Sequence, residues 1–89
     1  MSVVAVINFD ISNSFSEWET SFYATQPKAR ENGIYELFHG YDPENPQKLV
    51  VMLRAPSEEA MNKFMQDNGE AVAKSGHVLE STKITIYKD

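Results

Sequence analysis

Val3-Val4-Ala5-Val6-Ile7 and Leu49-Val50-Val51-Met52-Leu53 are two unbroken apolar runs rich in strand-forming residues. A strand with one wet face alternates apolar and polar side chains, whereas one buried on both faces need not. Both runs are therefore read as strands covered on two sides. In an 89-residue chain the helices can cover only one face of a four-stranded sheet. The other face is then expected to meet another subunit.

Outward from these runs the chain reads β-α-β-β-α-β. The first strand spans about Ser2 to Phe9. Ser14-Phe15-Ser16-Glu17 fits a capping box and opens a helix with Phe15, Trp18 and Phe22 on one stripe. Pro27 is expected to end that helix at about Thr25 or Gln26, because the residue before a proline avoids the α region. Ile34 to Tyr41 and Lys48 to Ala55 are the second and third strands, joined by Asp42-Pro43-Glu44-Asn45-Pro46-Gln47, a stiff loop too long for a two-residue turn. Centring the loop on Asn45 sets Glu36 opposite Arg54, Leu37 opposite Leu53 and His39 opposite Val51. Ser57 caps the second helix, which carries Met61, Phe64, Met65 and Val72 on its apolar face. Gly69 leaves it either bent or divided in two, and Gly76 stops it. In the last strand, Glu80 to Lys88, Ile84 and Ile86 point one way and Lys83, Thr85 and Tyr87 the other.

This order favours an α+β ferredoxin-like sandwich, an antiparallel four-stranded sheet with two helices on one face. Its strand order 4-1-3-2 puts the two wholly apolar strands in the centre, so pattern and topology agree. Residues 1–89 are read as a single domain of this kind.

Composition narrows function by exclusion. The formal net charge of −5, from 8 Lys and Arg against 13 Asp and Glu, repels phosphate backbones, so nucleic acid is not an expected partner. The third strand also lacks the stacking aromatics of an RNA-binding sheet. There is no cysteine for a disulfide, a thiolate metal site or thiol catalysis. The two histidines form no metal-binding spacing, and the isolated glycines at 33, 40, 69 and 76 make no phosphate cradle. No metal and no cofactor is therefore expected. No apolar run approaches membrane-spanning length and the N-terminus lacks signal-peptide order, which makes the expected location cytoplasmic, with no membrane partner.

Phe64-Met65-Gln66-Asp67, then Ala73-Lys74-Ser75-Gly76-His77-Val78 and a polar last strand, resemble small stand-alone members of the dimeric α/β-barrel superfamily. Among these are antibiotic-biosynthesis-monooxygenase-like, stress-responsive and uncharacterised marine bacterial proteins. The resemblance spans nearly the whole chain and rests on pattern. It implies a homodimer packed sheet against sheet, with a small-ligand pocket between sheet and helices of each subunit.

Six residues are candidates for binding a ligand. His39 shares a face by parity with Tyr35, Leu37 and Tyr41, so an imidazole flanked by the phenols of Tyr35 and Tyr41 would suit proton transfer to an oxygenated ligand. It is the one catalytic candidate; the alternative is a strand histidine hydrogen-bonded at the dimer seam or a sheet edge. Arg54 suits a carboxylate ligand, or else pairs with Glu36 across the strands. Trp18 would wall an aromatic pocket, or is plain core with Phe15 and Phe22. Asn8 ends an apolar run and needs partners, from backbone or from a ligand. His77, just past a helix, is expected to meet the last carbonyls or solvent. Two function classes follow. One is a cofactor-independent, monooxygenase-like enzyme for a small apolar or aromatic oxygenated molecule; the other is a non-catalytic small-molecule-binding or regulatory dimer.

Overall fold

The computed structural model describes residues 2–88. Strands β1 (Val3–Ile11), β2 (Tyr35–Asp42), β3 (Asn45–Ala55) and β4 (His77–Lys88) form one antiparallel sheet in the order β2-β3-β1-β4. Helices α1 (Phe15–Glu31), α2 (Glu58–Asp67) and α3 (Gly69–Lys74) cover one face. The ferredoxin-like order is thus the one expected, with β1 and β3 in the middle.

Odd-numbered residues of β1 and β3 form the floor of the core. Ala5, Ile7, Phe9, Leu49, Val51 and Leu53 are all buried beneath the helices. Their neighbours Val4, Val6, Val50 and Met52 lie on the uncovered face and are half-buried. Ser14 caps α1 with the full box, its Oγ accepting from Glu17 N and Glu17 Oε1 accepting from Ser14 N. Ser57 caps α2 by accepting from Ala60 N at 3.0 Å. The second helical segment is divided into α2 and α3, with the break at Asn68, one residue before Gly69.

Three expectations need correction. Helix α1 does not stop before Pro27 but runs through it to Glu31. Thr25 Oγ1 and Gln26 Nε2 both donate to the Phe22 carbonyl, at 2.8 and 3.3 Å, next to the Tyr23 carbonyl that Pro27 leaves without its N–H donor. The turn beyond it is retained because it buries Ala29. The hairpin also closes more tightly than expected. Asp42 pairs with Asn45, leaving only Pro43 and Glu44 between the strands, and Asp42 Oδ1 accepts from Glu44 N at 2.9 Å.

The third correction decides faces. The register sets Glu36 opposite Leu53 but Phe38 opposite Met52, so Leu37 is the extra residue of a bulge. His39 does stand opposite Val51, as expected, but Arg54 stands opposite Tyr35 rather than Glu36. Glu36, His39 and Tyr41 consequently share the helix-covered side, whereas Tyr35, Phe38 and Gly40 share the open side. The expected Glu36–Arg54 ion pair does not form; Arg54 donates to Ser2 Oγ at 3.2 Å instead.

Candidate functional site

Between the sheet and the helices lies an apolar cavity of about 80 Å³. Ile7, Phe9, Val51 and Leu53 form its floor, with Trp18 and Phe22 from α1 and Phe64 and Met65 from α2 as walls. It is small, yet Phe22, Met65 and Val72 at its margin are only half-buried. A methionine there is an adaptable wall.

His77 supplies the one titratable group of the lining. It is buried, and its ring lies flat on Phe9 with centroids 4.0 Å apart and an interplanar angle of 1°. The local sequence explains its inward position. Gly76 takes φ +99, a left-handed conformation open to glycine, and so turns the chain sharply from α3 into β4. Ser12 N donates to Gly76 O at 2.8 Å and Asn13 Nδ2 to Ser75 O at 2.9 Å, fixing that turn to the start of the α1 connection. Between the pairs Asn8–Lys83 and Asp10–Val78 the register shifts, and the extra length of β4 carries Ser81 and Thr82. Ser81 Oγ accepts from Asp10 N at 2.8 Å, while Thr82 Oγ1 sits 2.6 Å from His77 Nε2. Burial pushes the His77 pKa below its ordinary value, so the imidazole is neutral at neutral pH. The expectation that His77 meets the last helix carbonyls or solvent is corrected: it is buried on Phe9 and bonded to Thr82.

The remaining polar groups of the cavity are mostly engaged within their own helices. Besides Thr25 and Gln26, Ser75 Oγ donates to Val72 O at 2.6 Å. His77, itself held at Nε2 by Thr82 Oγ1, is the titratable group of the lining and so the one best suited to address a ligand.

A second cluster stands where α1 crosses the edge strand β2. His39 Nε2 lies 2.7 Å from Glu19 Oε2, and His39 Nδ1 contacts Glu36 Oε1. Tyr23 OH donates to Glu19 Oε2 at 3.3 Å and lies 3.5 Å from His39 Nε2. Burial by itself would lower the His39 pKa. The hydrogen bonds and charges of Glu36 and Glu19 outweigh it and raise the value above the ordinary 6.5.

The six residues singled out from the sequence do not converge on one pocket. Trp18 lines the cavity. His39 lies behind that wall, with ring centroids 5.9 Å from Trp18 and 5.1 Å from Phe22. Tyr41 packs on Phe15 at 4.7 Å and, with Asn8, borders a shallow groove at Phe38 and Val50. Tyr35 and Arg54 oppose each other on the open sheet face. The expected grouping of His39 with Tyr35 on one face fails because of the bulge at Leu37. Among the described residues no three His, Cys, Asp or Glu side chains are arranged to hold a metal ion, and no helix is long and apolar enough to cross a membrane.

Over residues 1–89 the sequence matches a family described as a domain of unknown function, DUF3764. The chain belongs to that family. No curated protein matches it in sequence. Among solved structures, this DUF3764 chain is similar to a proposed antibiotic biosynthesis monooxygenase of Bordetella bronchiseptica, with a TM-score of 0.78, 13% identity, and 99% and 96% of the two chains covered. It is also similar to SnoaB, a cofactor-independent oxygenase from Streptomyces nogalater, with a TM-score of 0.70, 12% identity and coverage of 99% and 92%. A third, a proposed antibiotic biosynthesis monooxygenase of Deinococcus radiodurans, gives 0.62, 15%, and 98% and 91%. At these identities the likeness carries the fold. The DUF3764 chain has the ferredoxin-like fold of the antibiotic-biosynthesis-monooxygenase-like proteins.

Proposed function

We propose that the protein is a homodimer whose cavity between sheet and helices takes up a small apolar or aromatic oxygenated molecule and oxygenates it without a cofactor. The observation that carries this reading is His77, a buried neutral imidazole set in apolar walls. Such a group is a base ready to accept a proton from an acidic O–H or C–H of a bound molecule. The dry surroundings strengthen its electrostatic interactions. The anion so formed is electron-rich enough to reduce dioxygen itself. For an activated methylene group the balance is one methylene and one dioxygen giving one carbonyl and one water. Two C–H bonds break, one oxygen atom stays as the carbonyl, the other leaves as water, and the substrate supplies all four electrons. A neighbouring fold relative named as a cofactor-independent oxygenase makes this chemistry a natural candidate.

The open sheet face supports the dimer. Val4, Val6, Val50 and Met52 form its apolar middle, and Tyr35, Phe38 and Tyr87 around them are about half exposed. A contiguous patch of this kind marks an interaction surface. A second copy seated on it would bury on the order of 1,600 Å² in total, the standard for a stable interface. Asn8, Tyr35 and Arg54 would then serve the seam rather than the cavity.

The second reading, a non-catalytic ligand-binding or regulatory dimer, is favoured by the engagement of Thr25, Gln26 and Ser75 with their own helices. One experiment separates the two. Binding of small aromatic ketones that carry an activated methylene is measured alongside oxygen uptake, for the natural protein and for His77→Gln. Oxygen uptake above the spontaneous rate that His77→Gln loses while still binding supports the oxygenase. Binding without uptake supports the binder, and absence of binding by every compound refutes both.

A further inference from the structure

The cluster at the α1–β2 crossing plays no part in the cavity chemistry, yet it is built around one doubly engaged imidazole. Its two carboxylates come from different elements, Glu19 from α1 and Glu36 from β2. An imidazolium has two N–H donors and serves both carboxylates at once. A neutral imidazole has one donor and one lone pair, so one carboxylate must then face a lone pair. The side chain of His39 is only 12% exposed, with Glu19 at 30% and Glu36 at 27%, so water cannot fully screen that conflict.

His39 also touches the cavity wall from behind. Its ring packs near Phe15, Trp18, Phe22 and Tyr23, all from α1, and two of these, Trp18 and Phe22, line the cavity. The edge strand therefore holds the wall helix through the polar contacts of His39, with Tyr41 packed on Phe15 beside them. We propose that protonated His39 is a latch that ties α1 to β2, and that its deprotonation loosens α1 and widens the cavity, making ligand access dependent on pH. The gating of access rests on the cavity being the ligand site; the loosening of α1 does not.

The groups facing the latch are few. Helix α1 contributes Glu19 and Tyr23, and β2 contributes Glu36, with Tyr41 further along the same face. From β3 the residue opposite is Val51, which does not titrate. When His39 loses its proton and keeps the remaining one on Nδ1, towards Glu36 of its own strand, the hydrogen bond left across the crossing is the neutral 3.5 Å contact between Tyr23 OH and Nε2, beside the packing of Tyr41 on Phe15. A neutral hydrogen bond is about half as strong as a charge-assisted one. The raised pKa of His39 keeps the latch closed at acid pH and places its opening on the alkaline side of 6.5.

Amide hydrogen exchange along Trp18 to Gln26, corrected for the intrinsic effect of pH, tests the latch when followed together with the ring signals of His39. Protection should fall about three- to tenfold in step with the His39 titration, the size expected when a charge-assisted bond gives way to a neutral one. His39→Gln should abolish the step, and Glu19→Gln should shift the His39 midpoint downward. Protection that stays flat through the titration in the unmodified protein overturns the proposal, whether or not either variant folds. Benzene, which does not titrate, separates the two layers through the methyl signal of Met65. Binding that tightens as α1 loosens supports the gate. Loosening with no benzene signal at any pH upholds the latch and removes the cavity as a ligand site. Binding that ignores pH while protection is flat removes the latch alone.

Discussion

Ser21→Leu should make the protein more stable and at the same time close it to ligands. Ser21 lines the cavity from α1 and is half-buried. An empty cavity costs about 24 cal/mol per Å³ in proteins where this has been measured. For about 80 Å³ the cost comes to about 2 kcal/mol. A leucine at position 21 replaces a hydroxyl by a branched apolar group and fills part of that space, so a gain of about 1 kcal/mol is expected. Leucine also favours helix more than serine by a few tenths of a kcal/mol (~0.3–0.5). Ser21→Ala carries that contribution without filling the cavity and serves as the reference. Thermal unfolding of both variants at equal protein concentration should place Ser21→Leu about 4–8 °C above Ser21→Ala. Equal concentration matters because association raises the apparent stability of an oligomer. Benzene should shift the Met65 methyl signal in Ser21→Ala and not in Ser21→Leu. If the leucine variant is no more stable than the alanine one, or still binds benzene as well, the space between sheet and helices is not an open cavity at this position.

Three further outcomes are expected. Val50→Asp places a charge in the middle of the open face, and light scattering should show the proposed dimer reduced to monomer with its circular dichroism unchanged; an intact dimer would move the interface elsewhere. Stability should crest near pH 6.5, where the two histidines exert opposite effects. His39, raised in the fold, contributes fully below 6.5 and loses that contribution as pH rises through its folded value, whereas His77, lowered in the fold, destabilises as pH falls below 6.5. Urea unfolding across that range should lose its alkaline limb in His39→Gln and be less steep on the acid side in His77→Gln. Gly76→Ala must put a Cβ at φ +99 into the amide of Asn13, and should cost about 1–3 kcal/mol in the same assay; a neutral effect would show that the turn into β4 adapts freely.

The architecture was readable because it rests on patterning that packing reinforces. The unbroken runs at Val3–Ile7 and Leu49–Leu53 belong to the two central strands, and the capping signals at Ser14 and Ser57 mark true helix starts. Local rules failed where tertiary burial opposed them. Pro27 ought to end a helix, but the turn beyond it buries Ala29. The site was harder to read because the faces of β2 depend on a bulge. Alternation cannot reveal the extra residue at Leu37, and without it His39 is grouped with Tyr35 instead of Glu36. The contact of His39 with Glu19 joins a strand to a helix 20 residues away, and no spacing rule encodes it. For His77 a signal existed in the preceding Gly76. A glycine in a left-handed turn redirects the chain, and here it sends the next side chain inward rather than towards the helix end.

The claim on which the rest depends is that the space between sheet and helices is where a small apolar molecule binds. Titration of the isotopically labelled protein with benzene, followed through its methyl and aromatic NMR signals, tests it most directly. The expected result is saturable shifts at Trp18, Val51, Met65 and the ring of His77, with Val50 and Met52 on the opposite sheet face unmoved. Shifts confined to Val50, Met52 and Phe38, or none at any residue, would contradict it.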